Sequence, residues 1–249
     1  ETVPGNVSLS STWFTRYIPA CTYQLNVCDK SQVAYVFEQA KPDVVIHCAA
    51  VGSVDYTESH YEETRDVNVL GTENILKAAQ DINALFVYIS TNAVFSGRNP
   101  PYDEDDNRNP VNAYGRIKRE TENVVKMYQN WLIIRPFLLY GYPYPGGRVN
   151  WLVTILDKLG KGEIVKLVDD TYWQPSLAWD VAQAIWRLVE LGKQGVRFAT
   201  FPETVVPYYP YFSFVQPAFA MGREHQRLLQ VERRRPQHRL HHHAQHRLV

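Results

Sequence analysis

ALFVYISTNAVFSGRNPPYDEDDNRNPVNAYGRIK, residues 84–118, decides the fold. Its opening, Ala84–Ser90, is a continuous apolar run, as a strand covered on both faces should be. Its end opens a helix at Asn112 that runs to Tyr128. Outward from this stretch, Asp43–Cys48 and Trp131–Arg135 repeat the short apolar run. Helical patterns lie between the runs. Asp29 predicts an N-cap for a helix reaching Ala40, and Tyr61–Ala79 carries Val67, Leu70, Ile75 and Ala78 at helical spacing. Strands alternating with helices of this length predict an α/β fold with a doubly wound parallel sheet.

Beyond Tyr140 the pattern changes. Gly141–Gly147 is rich in glycine, proline and tyrosine and reads as a break. A helix over Val149–Leu159, a strand over Ile164–Val168 and a helix over Leu177–Leu191 are predicted to follow. The expected organisation is a sheet domain over 1–141, a small C-terminal cap over 142–221 at the sheet's ligand-binding edge, and a tail over 222–249. That tail holds seven Arg and six His against two Glu, lacks hydrophobic periodicity and is expected to be disordered.

The chain as a whole is balanced: 249 residues, 26 Lys+Arg, 26 Asp+Glu and 45% hydrophobic residues. Neutrality gives no electrostatic case for nucleic acid or an anionic membrane. Three cysteines, Cys21, Cys28 and Cys48, match no disulfide framework or metal spacing. No apolar run approaches the ~20 residues of a membrane span. A soluble, cytoplasmic protein without metal, membrane or nucleic-acid partner is the expectation.

Tyr114 and Lys118 stand four apart, so phenol and ammonium share one helix face. A phenol ionises near pH 10, and a neighbouring ammonium favours its anion. The plainer alternative is a solvated helix face. Ser90 and Thr91 end the preceding strand in two hydroxyls, which could meet a substrate carbonyl or merely satisfy loop backbone. Together, strand-Ser-Thr, loop, and helix with Tyr-x-x-x-Lys form a more specific set than either half.

This set resembles the extended short-chain dehydrogenase/reductase superfamily, and within it the dTDP-4-dehydrorhamnose reductase family. Val87–Lys118 is similar to that family's Ser-Thr-Asp-Tyr-Val-Phe-Asp-Gly, Pro-Tyr-x-Glu-x-Asp and Tyr-Gly-x-x-Lys series. Further matches are Pro42–Ala50, Val67–Thr72, and Ile134-Arg135-Pro136 leading to Tyr140-Gly141. The resemblance implies a Rossmann-like sheet and NADPH-dependent reduction of a 4-keto-6-deoxy nucleotide sugar, with NAD as the other cofactor. It implies that Thr91 orients the sugar carbonyl, that Tyr114 gives it a proton, and that Lys118 holds the nicotinamide ribose and lowers the phenol's pKa. It places Asn26, Val27, Ala49, Ala50, Val51, Asn68, Ser90, Tyr114, Lys118 and Pro136 against the dinucleotide. Asn68 is open to a second role, holding backbone geometry between helix and sheet. A homodimer is left open as the assembly.

The departures are Asn92, Ala93 and Ser96, where the family has Asp, Tyr and Asp. They leave two alternatives standing: an epimerase or dehydratase of the same superfamily, and a non-catalytic dinucleotide-binding subunit resembling the regulatory beta subunit of methionine adenosyltransferase. Other candidate sites read more simply. Asp103–Asp106 is expected to be a solvated loop rather than a metal site, His47 and Cys48 core residues, and Trp173 and Trp179 packing residues of the cap. A dinucleotide-binding sheet also opens with a strand and a glycine-rich turn, yet Gly5 is the only glycine before Asn26. The first βα unit, roughly 30 to 40 residues at ordinary element lengths, is therefore expected to be missing. The chain as written is expected to bind NADPH weakly and to aggregate.

Overall fold

The structure, a computed structural model, describes residues 7–15, 18, 20–141, 149–166 and 175–199. The chain divides into two compact units, Glu1–Arg135 with Lys193–Arg197, and Pro136–Gly192 with Phe198–Val249.

In chain order, β1 (Thr12–Trp13) and β2 (Tyr23–Gln24) form a small parallel pair. Then come α1 (Lys30–Ala40), β3 (Val44–His47), α2 (Val54–Ser59) and α3 (Tyr61–Arg65). A π turn over Asp66–Leu70 carries α3 into α4 (Gly71–Asp81). β4 (Leu85–Ile89), a 3₁₀ turn at Asn92–Val94, α5 (Ala113–Val125) and β5 (Trp131–Pro136) follow. After them come β6 (Leu139–Tyr140), α6 (Trp151–Gly160), β7 (Ser176–Leu177), α7 (Ala178–Glu190) and β8 (Gly195–Ala199).

The main sheet has the order β3-β4-β5-β8. β3 and β5 both run parallel to β4, with Val44 opposite Leu85 and Phe86 opposite Trp131. This is the parallel α/β sheet that the alternation predicts. Phe86, Val87, Leu132, Ile133 and Ile134 are fully buried, as the middle residues of inner strands in a parallel sheet are. Val33, Val36 and Phe37 of α1 and Ile75, Leu76 and Ala79 of α4 pack in one core with Phe86, Tyr88 and Ile133. Burying each large aliphatic side chain contributes about 1.5–3 kcal/mol.

Local signals set the helix ends. The Asp29 carboxylate accepts the Ser31 and Gln32 N–H groups at 2.9 and 3.2 Å and starts α1; Lys41 stops it in the left-handed region, at φ 41°. At Gly71 a Cβ would stand 2.7 Å from Val27 Cγ2, so α4 reaches the segment after β2 only through a glycine. The helix expected over Tyr61–Ala79 is interrupted by the π turn, and α2 before it has no apolar periodicity to announce it. No helix among the described residues is long and apolar enough to cross a membrane.

In the second unit, β6 pairs in parallel with β7, Leu139 opposite Ser176. The Asn150 side chain caps α6 by accepting the Val153 N–H at 3.1 Å. Two expectations need correction. Ile164–Lys166 forms no strand: Ile164 is 92% exposed, so its apolar side chain has no face to pack on. Trp179 is exposed rather than packed. Trp173, residues 167–168 and the tail from Gly222 lie outside the described residues.

Candidate active site

The C-terminal end of β4 meets the first turns of α5. Asn112 begins α5 by accepting the Gly115 N–H at 2.7 Å, and Glu58 Oε1 accepts the Ala113 N–H at 2.7 Å. A Cβ on Gly115 would collide with the Ala93 carbonyl oxygen and stand 2.8 Å from Pro110 Cβ. The helix start therefore lies directly on the 3₁₀ turn that Thr91 opens. The Thr91 hydroxyl oxygen accepts the Ala93 N–H at 3.1 Å and faces Asn92 Oδ1 at 3.4 Å.

Tyr114, Lys118 and Glu122 follow at four-residue spacing along one stripe of α5. Lys118 is buried; its Nζ donates to the Ile89 carbonyl at 2.7 Å and stands 4.4 Å from the Tyr88 ring centroid. Burial pulls the ammonium down to about 8, against the opposing pull of Glu122 and Cys48. Tyr114 is half-buried, and burial pushes its phenol up to about 12. The expected lowering of this phenol by Lys118 is thus corrected: desolvation governs it, and the ammonium is engaged with the Ile89 carbonyl. The phenol stays protonated at neutral pH.

The residues expected at the dinucleotide fall into separate groups. Ala49 and Ala50 are exposed in the loop after β3. Asn68, in the π turn, grips Val51 of that loop twice: its Oδ1 accepts the Val51 N–H at 2.7 Å and its Nδ2 donates to the Val51 carbonyl at 3.0 Å. Asn26 turns the chain after β2, its Oδ1 accepting the Cys28 N–H at 3.0 Å, and the Val27 carbonyl accepts from Asn74 at 3.0 Å. The Ser90 hydroxyl is buried and donates to Glu122 at 2.6 Å, which commits it to the protein interior. Pro136 ends β5 in the second unit. His47 is buried as expected, whereas Cys48 is exposed.

Sequence reasoning missed the ion cluster behind this stripe. Arg135, fully buried, grips both Glu122 oxygens at 2.8 Å and reaches the Glu104 carbonyl at 2.8 Å. Arg108 adds a third cationic contact to Glu122 at 2.9 Å. The carboxyl is held below its usual range, because these partners outweigh its burial. The signal was present: Glu122 continues the Tyr114–Lys118 stripe inward, where a lone carboxylate demands a cation. A polar cavity of about 390 Å³ opens beside the cluster, with Arg108, Arg119 and Lys126 facing Glu104–Asp106. Asp106 accepts the Asp103 N–H at 2.7 Å, and no cluster able to hold a metal occurs among the described residues.

The sequence model of the RmlD substrate binding domain matches residues 9–201. Methionine adenosyltransferase 2 subunit beta of Xenopus tropicalis is 32% identical over 191 residues, covering 71% of this chain and 53% of that protein. The spore coat polysaccharide biosynthesis protein SpsK of Bacillus subtilis (strain 168) is 31% identical over 166 residues, covering 66% and 57%. The chain thus spans about half the length of these curated relatives. Among solved structures, dTDP-4-dehydrorhamnose reductase from Bacillus anthracis str. Ames in complex with NADP is similar, with a TM-score of 0.68, 30% identity and coverage of 73% of this chain and 65% of that one. UDP-glucose 4-epimerase from Thermus thermophilus in complex with NAD shares the fold, at a TM-score of 0.63, 21% identity and coverage of 74% and 65%.

Proposed function

This chain belongs to the RmlD substrate binding domain family, and we propose that it reduces the 4-keto group of a 4-keto-6-deoxy nucleotide sugar with NADPH. The observation that supports the proposal is the seating of α5 on the turn after β4, where Gly115 lies against Ala93 and Lys118 reaches the Ile89 carbonyl. The dinucleotide suits the residues present. Ala49 and Ala50 leave the loop backbone open to close approach, and the Lys118 ammonium keeps two N–H donors beyond the one on Ile89. Asn26, Val27, Ala49, Ala50, Val51 and Lys118 would hold it, with the Asn68 side chain shaping the loop. A bound reduced nicotinamide supplies hydride.

The chain's own residues supply the rest. The Thr91 oxygen is fixed by the Ala93 N–H, so its hydroxyl proton can turn from Asn92 to a sugar carbonyl. Tyr114, kept protonated by its burial, gives the proton that meets the developing alkoxide.

The purified full-length protein should consume NADPH when given such a sugar, and Tyr114→Phe in it should lower kcat about 10²–10⁴-fold, the usual worth of a general acid. A Tyr114→Phe variant as fast as wild type would overturn the mechanism. A cofactor recycled without net consumption would mark an epimerase or dehydratase instead. A non-catalytic dinucleotide-binding subunit is the other alternative. It is favoured by the relatives named as subunit beta and by the altered turn, where Ser96 now bonds Tyr102 at 3.2 Å. Copurification with a synthetase and no turnover on any keto sugar would decide for it.

A further inference from the structure

The proposed reaction gives Asn68 a role but none to the two buried side chains next to it. His47 ends β3, Asn68 sits in the π turn and Thr72 lies in the first turn of α4; they are 5%, 1% and 0% exposed. We propose that His47 and Thr72 are positioning residues that fix Asn68, and through it the loop over residues 48–53 on which the dinucleotide rests. This inference rests on the cofactor reading given above.

Proton counting gives the trio a direction. The Thr72 hydroxyl donates its single proton to the Asn68 carbonyl at 2.6 Å. Thr72 Oγ1 also meets His47 Nε2 at 3.0 Å, and with its proton spent it can only accept there. His47 must therefore carry a hydrogen on Nε2. Burial, aided by the Lys118 charge, pulls the imidazole down to about 3, so it stays neutral in that one tautomer. The Asn68 amide is fixed just as firmly. Val51 presents one N–H and one carbonyl to it, which sets the oxygen and nitrogen of the side chain without ambiguity.

The geometry follows from the backbone. An α-helix passing Asn68 would run on without the widened turn; here the π turn over Asp66–Leu70 carries Asn68 at 1% exposure, and such turns gather at functional sites. The loop is then fastened twice to the same turn of helix, at His47 through Thr72 and at Val51 through Asn68. Ala49 and Ala50 lie between the two fastenings. A loop held this way presents its backbone already arranged, so a ligand does not bear the cost of ordering it.

Thr72→Val keeps the shape and removes both hydroxyl bonds; Thr72→Ser keeps the bonds. For Thr72→Val the Kd for NADPH should rise about tenfold, with kcat at saturating NADPH and sugar within about threefold of wild type. Thr72→Ser should restore the affinity. Two readouts need no turnover. Hydrogen exchange of the Val51 amide should speed at least about tenfold in Thr72→Val, and ¹⁵N NMR of the wild-type protein should show His47 protonated on Nε2. Unchanged Val51 exchange, or a proton on Nδ1, would overturn the proposal. So would faster exchange with unchanged NADPH affinity, which would leave the trio purely structural. If full-length wild type itself fails to bind NADPH, the cofactor reading falls and Val51 exchange alone judges whether Thr72 positions Asn68.

Discussion

His47 shows how burial turns a side chain into a fixed part of the scaffold. Its ring lies 5.7 Å from Phe86 and 6.2 Å from Tyr88, and its value near 3 is far below that of a free imidazole. Between about pH 6.5 and 3 the unfolded chain therefore binds a proton that the folded chain refuses. Stability from this source is complete above 6.5 and is lost as pH falls through that window. Between pH 7 and 5, urea titrations should show wild type losing about 2 kcal/mol more than His47→Gln; equal losses would acquit the histidine. Lys118, pulled down to about 8, makes a different prediction. If its charge assists Tyr114, kcat/KM should fall above about pH 8, and Lys118→Arg should abolish that limb while lowering the plateau. Gly115 is a purely steric case. Gly115→Ala must push α5 off the turn at Ala93, costing about 1–3 kcal/mol by overpacking and more in turnover than in stability; a thermal melt beside a rate measurement checks both.

Among the elements, α5 holds the unit's functional end together through Glu122. One carboxylate joins the β4 end by Ser90, the β5 end by Arg135 and the loop before α5 by Arg108. Glu122→Gln leaves two guanidinium groups short of a partner. It should cost about 3–5 kcal/mol, the usual loss on breaking a buried pair, visible as a much lower urea midpoint. The elements legible in the sequence were those that packing and capping specify locally. β3, β4 and β5 are short apolar runs, α1 has Asp29, and α5 has Asn112 before an amphipathic stripe. The two-residue strands β6 and β7 carry too few side chains to show a period. Ile164–Val165 deceived because an apolar pair looks the same whether or not a sheet waits beside it.

At the scale of the molecule, the same division separates what could be read of the site. The proposed Thr91, Tyr114 and Lys118 stand in one continuous stretch, so spacing alone suggests them. Glu122 with Arg135, and His47 with Thr72, are partners 13 and 25 residues apart, and only the fold joins them. Among the described residues β3 closes one side of the sheet, with Ile46 44% exposed. An edge of that kind invites pairing with other chains. Ile46→Lys should reduce concentration-dependent scattering, and no reduction would clear this edge of self-association. The π turn has a further consequence, for insertions and deletions. Each residue of an α-helix advances its neighbours by about 100°. Removing one residue between Asp66 and Leu70 would heal the helix yet spin everything beyond it, carrying Thr72, Ile75, Leu76 and Ala79 off the core. Leu70, 41% exposed, could be exchanged for many residues at little cost; its place in the count could not. At Leu70 the letter is free and the count is not.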